Sequence, residues 1–248
     1  MTYPVAAGRP PGIPNCPTCP YRAQGASAIC ITCATNSVPP LTGRRCPICA
    51  QQITTAGCRN DVCALPAEQR GFTSVAAISV DSTPLAETIR RYKYDGDGGW
   101  AYIFGRLILG WLNRNAASAR SYTHILANPS HQHRRPYRHI ERILSIAATE
   151  DIQRRWPIYP NALVKPEETP RSAGQNWRAK ATAAQQHADV LLLADPPDAP
   201  PPLNKATILL IDDIFTTGTQ LDAVGRRLLD SGATRVDGLV LARRSWGS

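Results

Sequence analysis

The stretch ILLIDDIFTTGTQL, residues 208–221, combines features that strongly restrict how the chain can fold. Its four apolar residues, 208–211, are typical of a strand that is buried on both faces. They lead directly into Asp212 and Asp213, and then into a short hydroxyl-rich loop around Gly218. Because an unpaired carboxylate is costly to bury, we expect both acids to lie at the end of the strand and to serve a ligand.

The loop that follows the acids, residues 216–219, is called the threonine loop below. It precedes a helix that we expect to begin near Gln220, where free N–H groups and the positive end of the helix dipole favour a phosphate. Glycine allows close approach of the backbone, and threonine hydroxyls can donate to phosphate oxygens. The acids would repel a phosphate but can accept hydrogen bonds from a ribose diol, so the pattern indicates a ribose 5-phosphate site. The predicted ligand-binding residues are Asp212, Asp213, Thr216, Thr217, Gly218 and Thr219.

Strand-like and helix-like segments alternate after residue 70, which indicates an α/β fold. The expected strands are FTSVAAISVD, THILANP, NALVK, DVLLLA, the stretch at 208–211 and VDGLVLA. Strands separated by helices imply right-handed crossovers and a mainly parallel sheet. Ligands bind beyond the carboxyl ends of the strands in such sheets, which is where the two acids should lie.

All eight cysteines fall between residues 16 and 63, and they form four close pairs. Three of the pairs are CxxC, a spacing that lets two thiolates reach the same tetrahedral ion, so the pattern predicts two structural zinc sites with four cysteine ligands each. A disulfide framework is disfavoured because no secretion signal is present, and a redox CxxC would normally occur once. The predicted ligands are Cys16, Cys19, Cys30, Cys33, Cys46, Cys49, Cys58 and Cys63.

The pairing of these cysteines has two solutions. Sequential pairing joins the first four cysteines in one site and the last four in another, whereas interleaved pairing gives a cross-braced module. We expect the sequential arrangement because shorter loops cost less entropy to close. Few large apolar residues lie between these cysteines, so metal must take the place of a core.

The 248 residues, 43% of them apolar, can form one ordinary domain and a small module. We expect a disordered leader over residues 1–15, a double zinc ribbon over 16–70 and the α/β domain over 71–248. The net charge of +9 favours polyanionic partners. The chain contains no apolar run near the roughly 20 residues of a membrane span, and residues 1–15 lack the apolar core of a signal peptide. These features predict a cytoplasmic protein without membrane insertion.

Residues 208–219 resemble the signature of the type I phosphoribosyltransferases, which is an apolar strand, two acids, two variable residues and Thr-Thr-Gly-x-Thr. Gln220 departs from the pattern, which has a further threonine there. The wider chain resembles the ComF branch of that family, in which a double zinc ribbon precedes a phosphoribosyltransferase domain. The segments IRRYKYDGDGGWA, NPSHQHRRPYRHIERIL and TPRSAGQNWRAK are similar to further segments of the family, and the last of them to its mobile loop.

This resemblance implies that the protein transfers or recognises the 5-phosphoribosyl group of phosphoribosyl pyrophosphate (PRPP) with Mg²⁺. Asp212 and Asp213 would bind the ribose hydroxyls, and the threonine loop the 5′-phosphate. A nitrogen nucleophile would displace pyrophosphate, and the sequence identifies no general base. The candidates for the pyrophosphate are Lys93, Arg135 and Arg138, with Arg171 and Arg178 on the mobile loop. We interpret His131, His133 and His139 as loop residues and not as ligands.

An alternative hypothesis is a non-catalytic protein that senses PRPP or binds single-stranded DNA during DNA uptake. In that case Arg44, Arg45, Arg59 and Trp100 would supply charge and stacking. Aromatic residues are scarce inside the cysteine module, which disfavours this alternative. The sequence is also compatible with a homo-oligomer.

Overall fold

The computed structural model describes residues 41–81, 83–94, 100–130, 138–170 and 177–244. The predicted leader, the first four cysteines, His131, His133, Arg135 and Arg171 lie outside these ranges. None of the described helices is long and apolar enough to cross a membrane. In chain order the elements are α1 (Asp61–Ala64), a 3-10 helix (Ala67–Gln69), β1 (Val75–Val80), α2 (Thr83–Tyr94), α3 (Trp100–Arg114), α4 (Ala116–Ala119), β2 (His124–Ala127), α5 (His139–Glu150), β3 (Ile158–Tyr159), β4 (Leu163–Val164), α6 (Trp177–Asp189), β5 (Leu192–Leu193), β6 (Thr207–Phe215), α7 (Thr219–Asp230) and β7 (Arg235–Arg243).

Five of the strands form one parallel sheet in the order β1-β7-β6-β2-β3. Helices cover both faces of this sheet, and a cysteine cluster lies near the beginning of the described chain. The α/β prediction of a parallel sheet flanked by helices, with a cysteine module in front, is therefore confirmed.

Strand β6 has the alternating contacts of a strand buried on both faces. Leu209 and Ile211 belong to the core shared with α2, α3 and α5. Ile208 and Leu210 belong to the opposite core, which includes α7, part of α6 and the described cysteine module. All four side chains are at most 1% exposed, so the expectation of a fully buried strand is confirmed.

The strand extends further than the sequence suggested, because it includes both acids and ends only at Phe215. Its pairing with β2 ends at Ala127 opposite Ile211, while its pairing with β7 continues to Phe215 opposite Arg243. Within the described chain, one side of β6 therefore has no neighbouring strand from Asp212 onward. The acids lie on this overhang.

Two expected strands do not join the sheet. NALVK and DVLLLA form β4 and β5, a separate antiparallel pair, so their expected place in the main sheet is wrong. The strand that completes the sheet is β3, which has only two residues and was not predicted. Leu192 and Leu193 of β5 are exposed, which explains how an apolar run can lie outside the sheet core.

Candidate functional site

A cavity of about 420 Å³ opens beyond the carboxyl ends of β2 and β6. It is formed where β6 continues past β2, so that the acids and the threonine loop make up part of its wall. Its size is within the usual range of small-molecule pockets, roughly 300–1,000 Å³. The remaining wall includes Lys93, Asn128, His139, Lys165, Lys180, His187 and Gln220.

Asp212 and Asp213 have different partners although they are neighbours. Asn128 donates from Nδ2 to Asp212 Oδ2 over 2.8 Å, and the Asp213 backbone N–H donates to Asp212 Oδ1 over 2.8 Å. Asp213 Oδ2 lies 2.6 Å from Lys93 Nζ and 2.7 Å from His139 Nε2. One acid is therefore held by amides, and the other by basic side chains from α2 and α5.

These surroundings shift the two carboxyl groups in opposite directions. Burial raises the pKa of Asp212 to about 7, and the charge of Asp213 adds to this effect. Burial alone would also raise the pKa of Asp213, but the charge of Lys93 and the contact with His139 hold it well below its usual range. Burial tends to lower the pKa of Lys93, but the opposing effects of nearby groups, chiefly the negative charge of Asp213 and its hydrogen bond, together raise it. The ionised form of the Asp213–Lys93 pair is therefore favoured, whereas Asp212 holds its proton more strongly than an ordinary carboxyl group does.

The threonine loop turns into α7 at Gly218, whose φ of 85° lies in the left-handed region. A Cβ atom at this position would lie 2.2 Å from Phe215 Cζ, so only glycine fits there. No side chain of the described residues caps the start of α7. The loop hydroxyls of Thr217 and Thr219 lie 3.1 Å apart and face each other beside the first amides of the helix. The sequence predicts an anion site at this helix start, and that assignment stays a prediction.

The structure brings most of the predicted residues together. Asp212, Asp213, all four residues of the threonine loop and Lys93 line the cavity. Arg138 is exposed, and its Nη2 donates to Asn161 Oδ1 over 2.6 Å, so it is not part of the cavity wall. Arg178 is exposed near the start of α6. The assignment of pyrophosphate to Lys93 and these arginines stays a prediction.

Several cavity residues were not predicted. Asn128 directly follows β2, so the rule that ligands lie at the carboxyl ends of strands could have identified it. Lys165 is buried and donates from Nζ to Thr169 Oγ1 over 2.6 Å. His187 lies in α6 with Nε2 3.1 Å from Asn128 Oδ1; burial, with the charge of Lys165, lowers the pKa of this imidazole to about 3. No local sequence pattern indicates Lys165 or His187, because the segment after β4 and helix α6 reach the cavity only through tertiary packing.

Two residue interpretations were wrong. His139 was interpreted as a loop residue, but it is the first residue of α5 and contacts Asp213. Trp100 was considered as a stacking platform for bases, but its side chain is 0% exposed and stacks on Phe104 with ring centroids 6.0 Å apart. A buried indole cannot stack on a nucleic acid base. The burial follows from the position of Trp100 at the start of α3, within the core.

The second cysteine quartet forms a compact cluster. The sulfur atoms of Cys46, Cys49, Cys58 and Cys63 all lie within 4.8 Å of one another, and these cysteines form no disulfide. The Cys46–Cys63 and Cys49–Cys58 sulfur distances are 3.9 and 3.6 Å. Four sulfurs at the usual zinc distance on a tetrahedron would be about 3.8 Å apart, so the quartet fits one zinc ion. These four are the residues that sequential pairing predicts for one site.

Local structure explains how these cysteines come together. Cys46 and Cys49 flank a tight turn in which the Ala50 N–H donates to the Cys46 carbonyl over 3.0 Å. Cys63 lies in α1, whose N-cap is Asn60, and Cys58 lies just before that cap. The hydrogen bond between Cys49 and Cys63 lowers the pKa of the Cys49 thiol to about 5, although burial opposes this effect, and the same bond raises the pKa of Cys63. A thiolate is the form that binds zinc.

The fold and site define a class: an α/β protein with a parallel five-stranded sheet, a cavity at its carboxyl edge and a cysteine cluster suited to zinc. No family model matches the chain. The chain is similar to competence protein ComFC of Streptococcus pneumoniae (strain ATCC BAA-255 / R6), with 23% identity over 219 residues. The match covers 88% of this chain and 88% of that protein, which confirms the predicted resemblance to ComF proteins.

Proposed function

We propose that this chain is a ComF-type protein that binds PRPP with Mg²⁺ in the cavity at the carboxyl edge of the sheet. The observation that carries the proposal is that both acids and the complete threonine loop line one cavity. A diol-binding pair and an anion-binding loop in one pocket are what a ribose 5-phosphate requires.

The 5′-phosphate is bound by the first amides of α7 and by the hydroxyls of Thr217 and Thr219. The ribose hydroxyls donate to Asp212 and Asp213 along the open side of β6. Asn128 and Lys93 hold these carboxylates in place for that contact. Asp212, Asp213 and Asn128 offer the oxygen ligands that Mg²⁺ prefers and would hold a hydrated ion, which would add positive charge beside an anionic ligand.

Local charge favours the pyrophosphate end of the ligand in spite of the two acids. Lys93 neutralises Asp213, and the raised pKa of Asp212 reduces the average negative charge of that residue at neutral pH. Lys165 and Lys180 add positive charge to the same wall, whereas His187 stays neutral. The repulsion that two unpaired aspartates would exert on the pyrophosphate is therefore largely offset.

We further propose that the protein transfers the phosphoribosyl group to a nitrogen nucleophile. Pyrophosphate leaves C1 with the bonding electrons while the nucleophile attacks the opposite face, and the released N–H proton passes to solvent or to pyrophosphate. No general base is required when the leaving group supplies most of the bond breaking. Release of pyrophosphate from Mg²⁺–PRPP in the presence of ammonia measures this step. PRPP binding without pyrophosphate release would support sensing in place of transfer.

Calorimetric titration of the zinc-loaded full chain with Mg²⁺–PRPP tests the binding proposal. We expect saturable binding to the wild type and an affinity loss of about tenfold or more in Asp212→Asn/Asp213→Asn. The exposed pair Asp195→Asn/Asp230→Asn is a matched control that removes two charges outside the cavity. Absence of binding to the zinc-loaded wild type, or equal binding by both double variants, would contradict the proposal.

A second candidate function is suggested by the similarity to ComFC, which is a competence protein. Arg44 and Arg59 are exposed on the cysteine module and would contact the phosphates of single-stranded DNA. Arg45 is less suited, since its side chain donates to the carbonyls of Thr42 and Ala50. Binding of a labelled oligonucleotide should then weaken steeply with salt, and more so in the wild type than in Arg44→Gln/Arg59→Gln. A response that does not depend on salt would remove this candidate.

A further inference from the structure

Two side chains connect the cysteine cluster to the threonine loop. The first is Arg243, the last residue of β7, which is 1% exposed. Its Nε donates to the Cys49 carbonyl over 2.9 Å, and its Nη2 lies 3.8 Å from Cys49 Sγ. From the other end of the guanidinium, Nη1 donates to the carbonyls of Phe215 and Thr216, each over 3.0 Å. One buried cation therefore contacts a predicted metal ligand and the beginning of the loop.

The second connection is Asn60. Its Oδ1 accepts from the Val62 N–H over 3.0 Å and so caps α1, the helix that carries Cys63. Its Nδ2 donates to the Thr217 carbonyl over 3.0 Å. Asn60 is buried, so water does not compete readily for these bonds.

These contacts fix the direction of the amides that would bind phosphate. A peptide unit is planar, so a carbonyl that is held in place also sets the direction of the next N–H. The carbonyls of Thr216 and Thr217 are held by Arg243 and Asn60, and they share peptide planes with the N–H groups of Thr217 and Gly218. The cysteine cluster therefore supports the amides at the entrance to α7, which belong to the phosphate site.

The charge of Arg243 also links the cysteine cluster to the threonine loop. Within the described residues no carboxylate lies within ion-pair distance of this guanidinium, and its remaining partners are carbonyls, the Cys49 sulfur and the Phe215 ring, 4.6 Å away. Four thiolates around one divalent zinc leave a net negative charge, which would compensate a buried cation. Loss of the metal would therefore disturb the zinc–thiolate cluster whose negative charge would compensate the buried guanidinium of Arg243.

We propose that Arg243 and Asn60 are positioning residues through which metal binding at the second cysteine quartet and ligand binding at the threonine loop stabilise each other. This inference rests on the proposed function for the identity of the ligand. Because such coupling is reciprocal in free energy, zinc should raise the affinity for PRPP, and PRPP should raise the affinity for zinc by the same factor.

Asn60→Asp is the sharpest variant, since a carboxylate still caps α1 but cannot donate to the Thr217 carbonyl. Asn115→Asp is its matched control, because it also removes an amide donor to a backbone carbonyl. Asn115 directly follows α3, away from the threonine loop, and donates from Nδ2 to the Trp111 carbonyl over 2.8 Å. Arg243→Gln is a second variant that retains a shorter donor. All are studied as full chains after their zinc content has been shown to equal that of the wild type.

Hydrogen exchange of a peptide spanning residues 214–222 reports on the loop without any ligand. We expect faster exchange in zinc-loaded Asn60→Asp and in metal-stripped wild type, with Asn115→Asp unchanged. The Mg²⁺–PRPP affinity of Asn60→Asp should fall by roughly fivefold or more, and in equilibrium competition with a chelator PRPP should raise the zinc affinity of the wild type more than that of this variant.

The outcomes separate this inference from the proposed function. Wild-type exchange and wild-type PRPP affinity in zinc-loaded Asn60→Asp would overturn the coupling even if PRPP binds. If the wild type fails to bind PRPP while loop exchange still depends on zinc and on Asn60, the proposed ligand is wrong and the structural coupling stands.

Discussion

At the scale of residues, the site is an example of adjacent identical side chains with opposite properties. Asp212 contacts the amide of Asn128, just after β2, and its pKa is raised to about 7, whereas Asp213 faces Lys93 and His139 and its pKa is lowered. The sequence alone does not distinguish the pKa values of the two adjacent aspartates. Only the tertiary structure reveals which of them is held ionised, because their partners come from three separate segments of the chain.

The raised pKa of Asp212 predicts a pH-dependent stability. This carboxyl binds its proton more tightly in the folded state than in the unfolded state, so its contribution is nil below the unfolded pKa, becomes increasingly destabilising between that pKa and about 7, and is constant at higher pH. We expect the free energy of unfolding of Asp212→Asn, relative to wild type, to increase by about 1–3 kcal/mol between pH 5 and pH 8. Urea denaturation at each pH measures this difference, and a constant difference would show that Asp212 titrates normally.

Gly218 has a steric role that a substitution can test. Gly218→Ala would place a methyl group against the Phe215 ring at a positive φ, so we expect a loss of about 1–3 kcal/mol of stability together with weaker PRPP binding. Gly232→Ala is a control at the opposite end of α7. Its φ is also positive, at 102°, but an added Cβ atom would lie 3.3 Å from its nearest neighbour, Asn204 Cα. It should lower stability while calorimetry shows unchanged PRPP affinity. Equal PRPP affinity in both variants would contradict the assigned role of the loop.

At the scale of elements, apolar periodicity predicted the long helices and the buried strands well. The apolar residues of WAYIFGRLILGWLNR recur at helical spacing, which predicts a helix, and this stretch forms the whole of α3; β2 is fully buried before Pro129 as expected. The pattern failed for β3, which has two residues, and for β4 and β5, whose apolar residues pair with each other outside the sheet. Pairing partners are a tertiary property, and short segments carry too few residues to indicate them.

Helix α7 packs on Gly71, which directly follows the predicted cysteine module, more closely than a residue with a side chain would permit. A Cβ atom on Gly225 would lie 2.0 Å from the Gly71 carbonyl oxygen, and the Gly71 N–H donates to Asp222 Oδ1 over 2.7 Å. We therefore expect Gly225→Ala to reduce stability by about 1–3 kcal/mol, although alanine is the better helix former.

Gly110→Ala on α3 is the matched control for this contact. The added methyl group would meet only the flexible end of Arg114, at 3.3 Å, so helix propensity should dominate and stability should stay equal or rise by up to about 1 kcal/mol. Thermal unfolding of both variants measures the contrast. A neutral Gly225→Ala would show that α7 and the segment at Gly71 are less closely packed than described.

At the scale of the whole molecule, the described part of the cysteine module is joined to the sheet and does not stand apart from it. Cys46, Cys49 and Val62 belong to the same core as α7 and β6, and the Val75 N–H donates to the Ile48 carbonyl over 2.7 Å. The sequence indicated the zinc quartet and the sheet edge separately. It could not indicate the bridge by Arg243 and Asn60, since these residues lie 27 and 157 positions from the loop residues that they contact.

The predicted sequential pairing of the eight cysteines into two sites determines the metal content that we expect. We expect two zinc ions per wild-type chain and one in Cys58→Ser/Cys63→Ser, because the first quartet would keep its own ion. The variant should also unfold at a lower temperature, since metal replaces part of a core there. Elemental analysis gives the count, and a variant that loses both ions or neither would contradict sequential pairing.

The central claim is that the cavity at the carboxyl edge of the sheet binds a phosphorylated ribose. A crystal structure of the zinc-loaded chain with Mg²⁺–PRPP tests it most directly. The account predicts the 5′-phosphate on the amides and hydroxyls of the threonine loop, with the ribose hydroxyls on Asp212 and Asp213. Density for the ligand elsewhere, or an empty cavity at saturating PRPP, would contradict it.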